Sequence, residues 1–246
     1  MNFKSRIGLI RSLLIYNYKP FNKRRLIKFY SQFIEKGDLT FDIGAHTGNR
    51  SMSWLRIGAK VIAIEPQPIL AGYMEKKIGG NSDFILLKKV LGKDCGTVDF
   101  QINEAHPSVS TLSDEWTTIL KEFKSNLTWD SSIEVEMITL DNLIESYGVP
   151  AFCKIDVEGL EHEVLAGLSY PIPNISFEFF PTTLNRTLDC LNKVISLGEY
   201  TFNWILAETF KYQSEKWLSI HEIKEQMSNY NGKKPGDIYC KLISDY

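Results

Sequence analysis

Acidic residues are missing from the first 34 positions of this chain. Lys4, Arg6, Arg11, Lys19, Lys23, Arg24, Arg25 and Lys28 give that stretch a charge of +8, so, with −2 for the whole chain, residues 35–246 carry −10. A near-neutral total excludes the strongly basic balance of a nucleic-acid binder, and no nucleic-acid partner is expected. Long apolar runs are missing too. None approaches the roughly 20 residues that cross a bilayer, and "IGLIRSLLIY" is interrupted by Arg11 and has no small-residue cleavage site. Cysteine is scarce: Cys95, Cys153, Cys190 and Cys240 stand far apart, which excludes the C-x-x-C motifs of zinc and redox sites and suits reduced, buried thiols. A soluble, cytoplasmic protein is expected, in which the sequons at Asn126 and Asn185 mean nothing because glycosylation requires secretion.

Within the basic head, Phe3, Ile7, Ile10 and Leu14 recur at helical spacing, opposite Lys4, Arg6 and Arg11. Residues 1–36 are therefore expected as a basic helical segment that docks on the main domain, with peripheral membrane or partner contact as the other use of such a face. The main domain is expected over residues 37–246, where 43% hydrophobic content across the chain supplies one sizeable core.

From residue 37 onward, short apolar runs alternate with helical patterns, the signature of an α/β fold with a mostly parallel sheet covered by helices on both faces. Strands are predicted at 39–45, 60–66, 83–91, 151–158, 174–180, 200–208 and 237–243, with helices over 48–57, 68–78, 140–147, 160–167, 184–197 and 219–228. Between the third and fourth strands, "GTVDFQIN" and "IEVEMITL" alternate with a period of two, which predicts a hairpin insertion or edge elements. The Ser/Pro-rich "EAHPSVSTLSDEW" between them reads equally well as a loop near a ligand and as an ordinary surface loop.

The stretch "FDIGAHTGNR" places Asp42 at the end of the first strand, a turn over Gly44–Gly48, and a helix beginning near Thr47. In an open parallel sheet this is where ligands bind. Gly44 lets the chain turn and a ligand approach its backbone, and Gly48 allows close helix–strand packing. Glu65 follows 21 residues after Gly44, at the end of the second strand, where a carboxylate grips the hydroxyls of a ribose. Dinucleotide sites need G-x-G-x-x-G around a pyrophosphate. Here Ala45 and His46 stand where glycine is wanted, and Asp42 repels phosphate. The charge pattern favours a cationic nucleoside ligand without phosphate, namely S-adenosylmethionine (SAM), with S-adenosylhomocysteine (SAH) as product. An NAD(P)-dependent oxidoreductase is the enzymatic rival. A noncatalytic Rossmann-like binding module is the other alternative, and it expects a decayed site.

The second motif, "CKIDVEGLEHEVLAGL" over 153–168, would set Lys154, Asp156 and Glu158 on one face of the fourth strand, with Asp156 at its carboxyl end beside the first turn. Glu161 and His162 then open a helix, where Glu161 reads as a cap or as a site residue. Taken with "FDIGAHTG" and "AIEPQP" in that order and spacing, this motif resembles the FkbM-type methyltransferases, a branch of the class I SAM-dependent enzymes, over roughly residues 37–181. The resemblance implies a seven-stranded Rossmann-like sheet with an antiparallel last strand, and O-methylation of a hydroxyl on a sugar, glycoconjugate or natural-product acceptor. It implies cofactor contacts from Asp42, Gly44, Ala45, His46, Thr47, Gly48, Glu65, Pro66, Gln67, Val90, Leu91 and Asp156, and from Ser110 in "SVSTL". His46 departs from the asparagine often found in that turn.

Methyl transfer to an alcohol needs a positioned oxygen and a group within hydrogen-bond reach to take its proton. Asp156 is the first candidate at the reacting centre, His162 a candidate base, and Glu178 in "NISFEFFP" a residue near the acceptor whose pKa burial would raise. Asp156, Glu158 and Glu178 could alternatively cluster around Mg²⁺, which takes oxygen ligands, but no ligand spacing demands it and no metal is expected.

Overall fold

The computed structural model describes residues 7–10, 12, 13, 22–103 and 131–243. Phe3, Leu14, Ser110 and the Ser/Pro-rich loop lie outside the described residues. The chain order is α1 (Asn22–Tyr30), β1 (Leu39–Ile43), α2 (Asn49–Ile57), β2 (Lys60–Ile64), α3 (Pro68–Ile78), β3 (Phe84–Leu87), β4 (Val90–Leu91), β5 (Gly96–Ile102), β6 (Ser131–Ile138), α4 (Leu140–Tyr147), β7 (Phe152–Ile155), α5 (Glu161–Ala166), β8 (Asn174–Phe179), α6 (Leu184–Leu197), β9 (Tyr200–Leu206), α7 (Ile220–Ser228) and β10 (Gly236–Leu242).

Seven strands form the main sheet in the order β3-β2-β1-β7-β8-β10-β9. β1 pairs parallel with both β2 and β7, and β7 pairs parallel with β8, whereas β10 runs antiparallel to β8 and β9. This is the predicted seven-stranded Rossmann-like sheet with its last strand reversed. The strand order turns around between β1 and β7, so the loops after these two strands leave the sheet side by side.

The period of two divides the strand residues between two cores. Phe41, Ile43, Ile62, Ile64, Cys153 and Ile155 join helices α4–α7 on one face. Val61, Ala63 and Phe152 join α1, α2 and α3 on the other. Strands buried on both faces therefore read as continuous apolar runs. The helix starts obey local chemistry. α4 and α7 each begin with a capping box, Thr139 with Asn142 and Ser219 with Glu222, and the side chain of Gln67 caps α3 by accepting from the Leu70 amide.

Two expectations change. The predicted strand over 83–91 breaks at Lys88 and Lys89, which pair with Glu75 and Glu136. Its second part, β4, leaves the main sheet and pairs parallel with β6, which is antiparallel to β5; the predicted hairpin is thus part of a separate three-stranded sheet. A charged pair with solvent-directed partners cannot continue a strand buried on both faces.

The basic head contributes to the core. Leu26, Phe29, Tyr30, Phe33 and Ile34 are buried, so the second core begins well before residue 37. Phe33 stacks on Phe152 and on Tyr239, at centroid distances of 5.2 and 5.6 Å. Arg25 donates to the Thr209 carbonyl at 2.6 Å and lies over the ring of Phe210, which holds α1 against the far end of the sheet. Ahead of it, Ile7 and Ile10 face outward, 50% and 57% exposed. No helix among the described residues is long and apolar enough to cross a membrane.

Candidate active site

The site is built where the carboxyl ends of β1, β2, β7 and β8 meet the last strand. The Gly44 and Ala45 amides both donate to the Ile64 carbonyl, and the Asp156 amide donates to the Ile43 carbonyl, so the turns after β1 and β7 are bonded into the sheet edge. Gly44 has φ +77°, and a Cβ there would stand 1.8 Å from the Asp156 carbonyl oxygen. Glycine is required because the end of β7 lies against it. Its Cα side is thus filled by protein, while Gly44 still lines the cavity at this sheet edge. Gly48, at φ +69°, caps α2, and its missing side chain leaves room for Met74 of α3.

A cavity of about 270 Å³ opens above these turns, several times the ~30 Å³ share of one water. Its walls include Gly44, His46, Arg50, Glu65, Pro66, Asp156, Glu158 and Glu178; Val90, Leu91 and Phe100 come from the small sheet, and Glu208 and Asp237 from the far side. Of the expected site residues, Gly44, His46, Glu65, Pro66, Val90, Leu91, Asp156 and Glu178 are thus brought together around one space. Asp42, Ala45, Thr47, Gly48, Gln67 and His162 do not line it, and Ser110 lies outside the described residues.

Asp42 is 1% exposed and sits beneath the floor. Its carboxylate accepts from the amide and the hydroxyl of Ser51 and so fastens the first turn of α2 to β1. Burial pushes its pKa up, against the pull of Arg50 and of the Ser51 hydroxyl. Gln67 serves the structure, as the cap of α3. His162, the candidate base, stands apart from the cavity wall. Glu161 turns inward, 4% exposed, to accept from the Val157 and Gly159 amides, and on a helix the next residue points about 100° away. His162 accordingly lies beside Glu163, at 3.7 Å. Glu161 thereby holds the loop after β7, and burial pushes its pKa up to about 7. Glu158 is in that loop with φ +55°, off the strand face that the sequence predicts for it.

Glu65 stands at the end of β2, 5% exposed, with one carboxylate oxygen accepting from the His46 amide at 2.8 Å and the other from the Gln67 amide at 2.9 Å. Burial pushes its pKa up to about 8, against the opposing pull of those two amides. Burial also lowers His46 to about 4, so its imidazole is neutral around pH 7.

Across the cavity lies a cluster of charges. Asp156 takes Arg50 at 3.1 Å and Lys154 at 3.7 Å, and Lys154 is bound to Asp237 at 2.6 Å. Burial works against the charge of Asp156, but Lys154, Arg50 and a hydrogen bond from Glu178 outweigh it and hold its pKa below the ordinary value. Glu178 moves the opposite way, raised well above its ordinary value by burial and by the charges of Asp156 and Glu158. The two carboxyls thus shift in opposite directions as one coupled pair, in which Asp156 is the stronger hydrogen-bond acceptor and Glu178 the more readily protonated partner. Oxygens of Asp156, Glu158 and Glu178 lie within 4.8 Å of one another. Arg50, Lys154 and the proton on Glu178 already balance this cluster, so proximity alone does not make it a metal site.

Sequence reasoning missed Arg50, Asp237 and the inward aim of Lys154. Arg50 closes the quoted turn motif two residues after Gly48, and Asp237 heads an otherwise apolar final run; a charged residue at the mouth of a buried strand was the available signal.

The Methyltransferase FkbM domain model matches residues 42–224. The chain belongs to the FkbM methyltransferase family. It is a SAM-dependent methyltransferase with S-adenosylmethionine as its cofactor. None of the curated proteins matches this sequence. Among solved structures, the chain is similar to a TehB-like SAM-dependent methyltransferase from Corynebacterium glutamicum, at 11% identity over 95% of this chain and 94% of that one, with a TM-score of 0.48. It is also similar to the O-methyltransferase from Bacillus cereus in complex with SAH, at 10% identity over 99% and 92%, with a TM-score of 0.45. In this FkbM domain the cavity walls suit a phosphate-free nucleoside. Glu65 already engages the His46 amide, which a pyrophosphate would need.

Proposed function

We propose that this enzyme methylates a hydroxyl oxygen on a sugar, glycoconjugate or natural-product alcohol. The single observation that carries the reading is the pair of carboxyls, Asp156 and Glu178, side by side on the wall of one cavity. An alcohol needs an acceptor for its own proton and a donor that holds it in place. S-adenosylmethionine, when bound, supplies a methyl group on a sulfonium sulfur, already activated for in-line displacement, and leaves as S-adenosylhomocysteine. Glu65 accepts the ribose hydroxyls, and Pro66, Val90, Leu91 and Phe100 cover the apolar part of the nucleoside. Asp156 accepts a hydrogen bond from the attacking hydroxyl and aims its lone pair. As the oxygen is alkylated its proton becomes strongly acidic and passes to the Asp156 carboxylate, which makes even a low-pKa carboxylate a competent base. Glu178, whose one acidic proton is otherwise directed at Asp156, turns it to an oxygen of the acceptor once the attacking hydroxyl takes that place on Asp156. Neutral His46 adds no charge near the sulfonium.

Several ring hydroxyls side by side suit this alternation of donor and acceptor, which supports a carbohydrate-like acceptor. Methyl transfer from labelled SAM to a panel of glycans and polyhydroxylated natural products tests the reading. A hydroxyl acceptor should be found, and Asp156→Asn should reduce its methylation by about 10²–10⁴-fold, the ordinary worth of a positioned base. Methylation confined to amines or carboxylates, or full activity in Asp156→Asn, would sink it.

A further inference from the structure

Lys154 is placed where a lysine is costly. It lies in the middle of β7, 0% exposed, with Phe152 behind it on the same sheet face in the aromatic core. In the sheet register Lys154 stands beside Ser176 of β8, and Ser176 stands beside Tyr239 of β10, two residues from Asp237. The ammonium therefore crosses the small side chain of Ser176 to reach Asp237 Oδ1 at 2.6 Å, while also donating to the Ile155 carbonyl at 3.1 Å and lying 3.7 Å from Asp156 Oδ2. Asp237 in turn stands opposite Glu178 in the antiparallel pairing of β10 with β8. One buried cation thus joins both acids that flank Glu178.

We propose that Lys154, clamped by Asp237, is a positioning residue for methyl transfer: it fixes Asp156 at the cavity wall as a bare carboxylate that only accepts hydrogen bonds, leaving Glu178 as the partner that keeps their shared proton. The inference rests on the reading of Asp156 as the group that meets the acceptor hydroxyl. Among the described residues no other cation pairs with both Asp156 and Asp237. α2 contributes Arg50, which touches Asp156 but has no ion pair with Asp237. β1 contributes the buried Asp42, in register with Lys154, and the turn after it the neutral His46. α1 and β10 contribute the phenols of Tyr30 and Tyr239, both raised by burial and uncharged, and the loop after β7 contributes Glu158, which opposes ionisation of Glu178. Without Lys154, two buried acids would face one guanidinium, and the proton would settle on Asp156. Burial disfavours the ammonium itself, but Asp237 and Asp156 outweigh that and keep it charged.

The test compares binding of SAH and of sinefungin, which carries a protonated amine where SAM carries its transferable methyl, to the full chain from pH 5 to 7.5. The ratio of the two affinities reads the charge beside that amine, and any proton release from Glu65 cancels because both ligands have the same ribose. In the native protein the ratio should favour sinefungin and stay flat. Asp156→Asn should reduce it at least tenfold, whereas Glu178→Gln should leave it within twofold. The paired change Lys154→Met with Asp237→Asn strands no buried charge, and in it the ratio should fall at least fivefold between pH 7.5 and 5; Lys154→Arg should restore the flat profile. A flat ratio in the folded double variant, or a loss in Glu178→Gln as large as that in Asp156→Asn, overturns the inference. If the double variant does not fold, the two single carboxyl variants decide. Failure of the native protein to bind either ligand would instead remove the cofactor assignment on which the inference stands.

Discussion

Glu65 offers the sharpest quantitative test of how this site holds its cofactor. Its carboxyl is buried and bonded to two backbone amides, yet its pKa is about 8 because burial outweighs them. At pH 6 it is therefore neutral in the ligand-free protein. A ribose diol donates two O–H groups and favours an ionised acceptor, so binding must expel a proton. If only the ionised form binds, the apparent Kd is multiplied by 1 + 10^(8 − pH), which is about 100-fold at pH 6 and about twofold at pH 8. SAH affinity should rise roughly 50-fold over that range, or about 2.3 kcal/mol. Calorimetric titration with SAH at pH 6, 7 and 8, in buffers of different ionisation enthalpy, would show close to one proton released per ligand at pH 6. Glu65→Gln mimics the neutral carboxyl in shape, so its affinity should be independent of pH and close to the native value at pH 6. A pH-independent affinity in the native protein, or an unchanged slope in Glu65→Gln, would refute the assignment of Glu65 to the ribose.

Gly44→Ala should cost about 3 kcal/mol or more in urea unfolding, because its Cβ would meet the Asp156 carbonyl and its φ is +77°; an unchanged midpoint would show that β1 and β7 are not held this closely. Asp42→Asn should lower stability by about 1–3 kcal/mol through its bonds to Ser51, with little direct effect on SAH binding; loss of affinity at an unchanged melting temperature would place Asp42 on the ligand instead. Phe33→Ala should cost about 3–5 kcal/mol, since it removes a ring stacked between Phe152 and Tyr239, and a surface-like loss below 0.5 kcal/mol would detach the basic head from the core. Ligand-free stability should respond to pH from two directions. Glu65 is raised from 4.5 to about 8, so the unfolded chain holds fewer protons there and stability falls as pH rises through that window. His46 is lowered from 6.5 to about 4, so the unfolded chain holds more protons and stability falls as pH drops from 6.5 to 4. Unfolding of Glu65→Gln and His46→Gln, each followed against pH, should each lose one of these slopes.

Much of the fold was legible because its signals are local. β1, β2, β7 and β8 are mostly apolar and buried on both faces, and a run such as "KVIAI" has no other environment to satisfy it. The capping boxes at Thr139 and Ser219 mark helix starts from residues within one turn. The strand over 83–91 was overcalled because Val90 and Leu91 are as apolar as Phe84–Leu87; what separates them is that Lys88 and Lys89 find acidic partners outside the main sheet, and no window of residues contains those partners. The basic head reads as an amphipathic segment docking on the main domain, but the depth of that docking is not legible locally, because Phe29, Tyr30 and Phe33 find aromatic partners more than a hundred residues away.

By itself the sequence determined the parallel α/β architecture, the placing of a ligand site after the first strand, and a preference for a cationic nucleoside over a diphosphate. Each of these depends on residues a few positions apart, or on charge summed along a motif. Tertiary structure alone decided which acids meet that site. Asp42 anchors a helix, His162 does not line the cavity, and Lys154 reaches across a neighbouring strand to an aspartate 83 residues later. Burial and charge act through space with a range of a few ångströms, so the protonation of Asp156, Glu178 and Glu65 is fixed by neighbours that only the folded sheet brings within reach.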